Sequence, residues 1–99
     1  MNTIKLVRIK KIVEEILNIE VNLIITNYGM DKFHAVIEKT TEGFNIYVGL
    51  ADAKNYQSLI YAISHELAHA TTGRFDFHGL KHQQEWDRLY KLILKKYEE

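Results

Sequence analysis

Apolar residues recur every three or four positions in three stretches of the chain, which is the periodicity of an amphipathic helix. The first stretch runs from Thr3 to about Ile19, the second from Tyr56 to Thr72, and the third from Leu80 or Lys81 to about Tyr97. We therefore predict three helices, the first of which packs against a sheet. Their apolar stripes are Leu6, Ile9, Val13, Ile16 and Leu17; Leu59, Ile60, Ile63 and Leu67; and Trp86, Leu89, Ile93 and Tyr97.

Between the first two helices, apolar and polar side chains alternate, which indicates strands. The predicted strands are Glu20–Asn27, Phe33–Lys39 and Phe44–Leu50, with a turn at Thr40–Gly43. Antiparallel hairpins are the simplest arrangement of three consecutive strands. We predict one α+β domain over residues 1–99, with an N-terminal helix, a three-stranded, mainly antiparallel sheet and two further helices.

The second helix has clear signals at both ends. Asp52 or Asn55 can cap its N-terminus, because both side chains accept hydrogen bonds from the first backbone N–H groups of a helix. Gly73 follows the last periodic residue and is a typical C-terminal stop.

Composition narrows the chemistry available to the chain. There is no cysteine, which excludes disulfides and thiolate zinc sites and leaves histidines and carboxylates as metal ligands. The formal net charge of zero does not favour a nucleic-acid-binding protein. No uncharged run reaches the length of a signal sequence or a membrane span, so we expect a soluble, cytoplasmic protein without membrane association.

The second helix contains the pattern His-Glu-x-x-His, formed by His65, Glu66 and His69. Two histidines four positions apart lie on the same face of a helix, where both imidazoles can bind one metal ion. Glu66 projects beside this pair and can reach a water molecule at the metal without being a ligand. The pattern therefore predicts a zinc hydrolase with Glu66 as general base.

The two histidines fall nearly opposite the apolar stripe of their helix, at about 100° per residue. We therefore expect His65 and His69 to face a cleft or solvent. Two surface histidines on an amphipathic helix are the alternative interpretation.

Catalytic zinc usually takes three protein ligands and one water, so a third donor is required. His82 is the preferred candidate because it lies on the inward stripe of the last helix, one turn before Trp86. His78 and Glu85 are alternatives, and a buried structural role is the alternative for His82 itself. His34, on the polar face of a predicted strand, is interpreted as a surface residue.

The order of these motifs resembles the SprT-like zinc metallopeptidases, the family that includes Spartan. The resemblance covers roughly residues 59–94 and depends on His65–His69, His78-Gly79 and the stretch from His82 to Trp86. In that family a histidine followed four residues later by Trp or Phe is the third zinc ligand, which implies His82 here. Family members often have His-Gly at the ligand position itself, which implies His78 instead.

The resemblance implies a minimal zincin-like fold, a Zn²⁺ cofactor and a protein or peptide substrate. It also implies a DNA association, which the net charge does not support, and larger members carry a cysteine zinc ribbon that this sequence lacks. The predicted function is peptide hydrolysis by a zinc-activated water, with Glu66 as general base. The alternative is a catalytically idle, zinc-stabilised binding module, such as a phage or plasmid antirestriction-type protein.

Further residues are candidates for supporting roles in such a site. We expect carboxylates that accept from the second ring nitrogen of the ligand imidazoles and so orient them, and a donor that stabilises the developing oxyanion. The candidates for orienting the imidazoles are Asp52, Asp76 and Asp87, and those for stabilising the oxyanion are His78, Arg88 and Tyr90.

Overall fold

A computed structural model describes residues 4–26, 35–49, 53–73 and 79–99 of the chain. The described residues form three α-helices and three β-strands, which confirms the predicted α+β class. No helix among these residues combines the length and apolar content that crossing a membrane requires. The helices are α1 (Leu6–Leu17), α2 (Tyr56–Thr72) and α3 (Leu80–Glu98), and the strands are β1 (Glu20–Thr26), β2 (Ala35–Lys39) and β3 (Gly43–Gly49).

Helix α1 is shorter than the predicted Thr3–Ile19. It ends at Leu17, and its C-cap Asn18 adopts the left-handed conformation with φ 56° and ψ 38°. The Asn18 N–H donates to the Glu14 carbonyl at 2.7 Å. Asparagine tolerates this conformation better than most residues, so it can end a helix in place of glycine. Periodicity alone carries the predicted helix past this point.

The three strands form one sheet in the order β1-β3-β2. Strand β2 pairs antiparallel with β3, as predicted, but β1 pairs parallel with β3 from Glu20 opposite Gly43 to Thr26 opposite Gly49. The predicted β1–β2 hairpin is therefore wrong. Strand β3 takes the central position, and its side chains Ile46 and Val48 are completely buried in the core.

Gly43 makes the close approach of β1 and β3 sterically feasible. An added Cβ at this position would lie 1.8 Å from the Glu20 carbonyl oxygen. The turn before it is held by two bonds, from the Thr40 N–H to the Gly43 carbonyl at 2.8 Å and from the Gly43 N–H to the Thr40 hydroxyl at 3.0 Å. Any side chain at 43 would displace the start of the parallel pair.

The core lies between the sheet and the helices. Helix α1 contacts both β1 and α3, while α2 contacts β2 and β3 and also packs along α3. Helix α2 is therefore enclosed by the sheet on one side and by α3 on another, and this enclosure decides how its histidines are placed. The fully buried apolar side chains are Ile9, Val13, Val21, Ile46, Val48, Leu59, Ile60, Ile63, Ala68, Leu89 and Ile93.

The C-terminal end of α3 is held by Arg8 of α1. Its guanidinium donates to the carbonyls of Tyr97 at 3.1 Å, Lys96 at 3.1 Å and Glu99 at 2.8 Å. The last carbonyls of a helix have no intrahelical donors and carry the negative end of the helix dipole, so a cation there is stabilising. Arg8 thus ties the first and last helices together.

Candidate metal centre

Helix α2 positions the His-Glu-x-x-His pattern, and both of its ends are defined. Asn55 is the N-cap, with its side-chain oxygen accepting from the Ser58 N–H at 2.8 Å, while Asp52 lies outside the described residues. Gly73 ends the helix with φ 70° in the left-handed region that glycine favours. Both predicted end signals at Asn55 and Gly73 are confirmed.

Three histidines converge where α2 and α3 pack together. His65 and His69 come from α2 and His82 comes from α3, and their ligand nitrogens all lie within 4.8 Å of one another. The ring centroids of His69 and His82 are 4.1 Å apart, and that of His65 lies 5.0 and 4.8 Å from those of His69 and His82. Two helices therefore bring three imidazoles to one point.

The three imidazoles differ in burial. His69 and His82 are only 3% and 2% exposed, whereas the His65 side chain retains 26% of its exposure. The expectation that both α2 histidines face a cleft or solvent is therefore wrong for His69. A helical wheel measures position relative to one apolar stripe, but α3 covers the opposite side of α2 and encloses His69 there.

A hydrogen bond to the backbone of α2 orients the His82 ring. Its Nε2–H donates to the carbonyl oxygen of His65 at 3.0 Å. Since a neutral imidazole has one protonated nitrogen, this bond selects the tautomer with the lone pair on Nδ1. Such a bond from the second ring nitrogen is the usual way in which proteins orient histidine ligands.

His65 is oriented by its neighbour in the sequence. Its Nδ1–H donates to Oε2 of the buried Glu66 carboxylate at 2.6 Å, and in the neutral imidazole this bond leaves the lone pair on Nε2. Glu66 thus lies beside the histidine cluster without belonging to the described group of converging ligand atoms.

Trp86 forms a wall next to His65. Its indole N–H donates to the Tyr61 carbonyl at 3.0 Å, and its ring centroid lies 4.5 Å from that of His65 at an interplanar angle of 78°. His82 and Trp86 are one helical turn apart on α3, as are their acceptors, the carbonyls of His65 and Tyr61, on α2. The two bonds therefore fix the register of α3 against α2.

Glu85, an alternative third ligand, is occupied elsewhere. Its carboxylate accepts from Nε of Arg88 at 2.6 Å. This bond is the main reason that the pKa of Glu85 lies below its ordinary value; burial opposes the shift, and a hydrogen bond from Thr71 adds to it. Glu85 does not belong to the converging group, and Arg88, an oxyanion candidate, is held in the same pair.

The remaining candidates fall into two groups. Asp87 pairs with Lys91 at 2.9 Å, and the Tyr90 ring packs edge-on against Tyr61 at 5.1 Å. Asp87 does not belong to the described group of converging ligand atoms, and the Tyr90 ring lies against Tyr61. His34, Asp76 and His78 lie outside the described residues.

The donor set suits zinc. Three neutral imidazoles are typical ligands of Zn²⁺, and a three-histidine set leaves a fourth position for water. A tetrahedral ion with Zn–N bonds of about 2.0–2.1 Å places its nitrogens about 3.4 Å apart. Because the ligand nitrogens already lie within 4.8 Å of one another, each pair must approach by at most about 1.4 Å to bind such an ion, which side-chain rotation can supply.

Sequence reasoning did not identify the aromatic cluster beside the site. The Tyr61 and Trp86 centroids lie 4.6 Å apart, and Tyr61 is 49% exposed although it is aromatic. Tyr61 precedes His65 by four residues and Trp86 follows His82 by four, so matching i, i+4 spacings on the two helices were the available signal.

Comparisons with family models, curated proteins and solved structures gave no match to this chain.

Proposed function

We propose that this protein is a zinc-dependent metallopeptidase in which His65, His69 and His82 bind the metal and Glu66 is the general base. The convergence of three imidazoles from two helices, with a buried carboxylate alongside, carries the proposal. A bound zinc ion would supply a Lewis acid that lowers the pKa of water from about 15.7 to about 7 and polarises the scissile carbonyl.

The chain's own residues account for the proton transfers. Glu66 accepts a proton from the attacking water and returns it to the departing amine. A carboxylate has two oxygens with about four acceptor sites, so the bond from His65 to Oε2 leaves capacity for this proton. Burial of His69 and His82 excludes bulk water from one side of the site, and the partly exposed His65 marks the side from which a peptide can enter.

The resemblance to SprT-like metallopeptidases supports the same reading. The spacing of His82 and Trp86 matches the third-ligand motif of that family, and both residues bond to α2. Two packed helices beside a three-stranded mixed sheet are compatible with a minimal zincin-like fold, which is part of the proposal. The substrate class is a protein or peptide, and any role of DNA rests on the family resemblance alone.

Replacement of the general base tests this proposal. Glu66→Gln should retain zinc binding and lose hydrolysis of a quenched fluorescent peptide library by about 10²–10⁴-fold, because the amide cannot accept the proton. Glu42→Gln, an exposed carboxylate in the β2–β3 turn, is the matched control and should hydrolyse the library normally. Full turnover in Glu66→Gln would remove Glu66 from the mechanism.

One observation favours a second candidate, a catalytically idle, zinc-stabilised binding module. The Glu66 carboxylate already accepts from a ligand histidine, which is also the arrangement of a carboxylate that only orients a ligand. In that case wild-type protein with bound zinc hydrolyses no peptide of the library, while loss of His69 unfolds the domain. The same assays separate the two candidates.

A further inference from the structure

A small groove opens beside the candidate metal centre. It has a volume of about 230 Å³ and is lined by Tyr61 of α2 and by Gln83, Trp86 and Asp87 of α3. Pockets that hold whole small molecules are usually larger, about 300–1,000 Å³, so the groove fits a single side chain. Trp86 joins it to the site, because its ring lies 4.5 Å from that of His65.

Two aromatic rings, those of Tyr61 and Trp86, form the apolar part of the groove. The indole N–H of Trp86 is bonded to the Tyr61 carbonyl, and the two ring centroids are 4.6 Å apart with planes tilted by 44°. Tyr90 supports Tyr61 from the side at 5.1 Å. The exposed Tyr61 ring thus presents an aromatic surface beside Trp86, which in turn contacts His65 of the histidine cluster.

The polar part of the groove is negative. Of the four described residues that line it, Asp87 is the only one with a formal charge, and Gln83 adds an amide oxygen as a further acceptor. Asp87 is paired with Lys91 at 2.9 Å, but both side chains are largely exposed. Exposed pairs of this kind contribute little, so an incoming cation can take the place of Lys91.

The geometry points to a specificity subsite: the groove binds the cationic side chain, preferably arginine, of a substrate residue next to the scissile bond. An arginine has an extended apolar stem for the aromatic surface and a planar guanidinium that stacks on aromatic rings and bonds to carboxylates. A neutral apolar side chain of the substrate would offer Asp87 no cation to pair with. This inference rests on the proposed peptidase function for its biological meaning.

Binding can be measured without hydrolysis, because Trp86 is the only tryptophan in the sequence. We expect Nα-acetyl-arginine amide to change the fluorescence of Trp86. It should bind about fivefold more tightly than the neutral isostere Nα-acetyl-citrulline amide. Asp87→Asn should abolish this difference, and Lys91→Gln should increase it by freeing the carboxylate. Glu42→Gln should leave it unchanged.

Arginine and citrulline are then compared as substrate residues in a cleavage assay. A peptide with arginine next to the scissile bond should have a lower KM than its citrulline counterpart, at similar kcat, in the wild type but not in Asp87→Asn. The subsite would be overturned if the arginine and citrulline amides bind equally, or if the arginine preference persists in Asp87→Asn. It would also be overturned if the amide of norleucine, an uncharged apolar side chain, binds more tightly than the arginine amide. If the wild type hydrolyses neither peptide but still binds the arginine amide more tightly in the fluorescence assay, the result counts against the peptidase function and not against the subsite.

Discussion

The two ends of α3 are held by the same kind of bond, a side-chain N–H donated to a helix carbonyl, but the carbonyls differ. Near its N-terminus, His82 and Trp86 donate to carbonyls in the middle of α2. Near its C-terminus, carbonyls of α3 itself accept from Arg8. The C-terminal bonds satisfy the carbonyls of a helix end, whereas the N-terminal bonds orient two side chains and set the register of α3 against α2.

The C-terminal bonds have a full explanation in helix physics. The last four carbonyls of a helix have no intrahelical donors, and Arg8 supplies donors and a positive charge at the negative end of the helix dipole. The guanidinium also lies 5.9 Å from the centre of the Tyr97 ring. This end of α3 is exposed and brings no group of converging histidines or carboxylates together among the described residues.

The N-terminal bonds cannot be explained in the same way. Carbonyls in the interior of a helix already accept from the N–H four residues later, so the His65 carbonyl does not require His82. The additional donor fixes the tautomer and the direction of the His82 ring. We propose that this buried imidazole, which is oriented in this way 4.1 Å from a second one, is a ligand of the proposed metal site.

The largest effect that this comparison predicts is on zinc affinity. His82→Gln should weaken zinc binding by more than about a hundredfold, because in the proposed site His82 is a ligand and not merely an orienting partner. Competition with a chromophoric chelator measures the affinity, and far-ultraviolet circular dichroism confirms that the variant is folded. Arg8→Ala should leave the zinc affinity within about twofold of the wild type.

Two further histidines complete that experiment. His78→Ala tests the alternative third ligand. His34→Ala is the control, because His34 is interpreted from the sequence as a surface residue outside the site. Wild-type affinity in His82→Gln together with a large loss in His78→Ala would transfer the ligand role to His78.

The sequence allowed much of the scaffold to be predicted because local physics determines it. Helical periodicity located α2 and α3, and the capping chemistry of Asn55 and Gly73 defined the ends of α2. The inward position of His82 followed from its place on the stripe of Leu89 and Ile93, both of which are completely buried.

What could not be predicted depends on how the elements meet. Alternation shows which side chains share a face of a strand but not which strand is its neighbour, so the parallel pairing of β1 with β3 was missed. The burial of His69 depends on α3 lying across it, and the bond from His82 depends on a carbonyl of another helix. The sequence therefore named the histidines without showing how they are enclosed or oriented.

A smaller effect is predicted for the other end of α3. Arg8→Ala should lower the free energy of unfolding by about 1 kcal/mol, because two carbonyls of α3 and that of its C-cap Glu99 lose a charged donor at the end of the helix dipole. Urea unfolding measures the change, and Lys11→Ala, another exposed cation of α1, is the control. If Arg8→Ala unfolds like Lys11→Ala, the tie between α1 and α3 contributes nothing to stability.

The smallest predicted effect concerns Glu85, which lies on α3 one turn after the candidate ligand His82. Its pKa is held below the ordinary value of 4.5, first by the hydrogen bond from Arg88, so the folded state favours the ionised carboxylate. The resulting stability is present above 4.5 and is lost as the pH falls through the lowered pKa. Glu85→Gln should therefore lose less stability than the wild type between neutral and acidic pH, by a few tenths of a kcal/mol.

Urea unfolding at several pH values, with a chelator present, measures the Glu85 contribution without the proton dependence of zinc binding. Arg88→Met should flatten the pH profile as Glu85→Gln does, because either change removes the pair that lowers the pKa. Parallel profiles for the wild type and Glu85→Gln would show that Glu85 is as ionised in the unfolded chain as in the folded one. The pair with Arg88 would then not favour the ionised carboxylate in the folded state, and Glu85 would again be an alternative third ligand of the proposed zinc site.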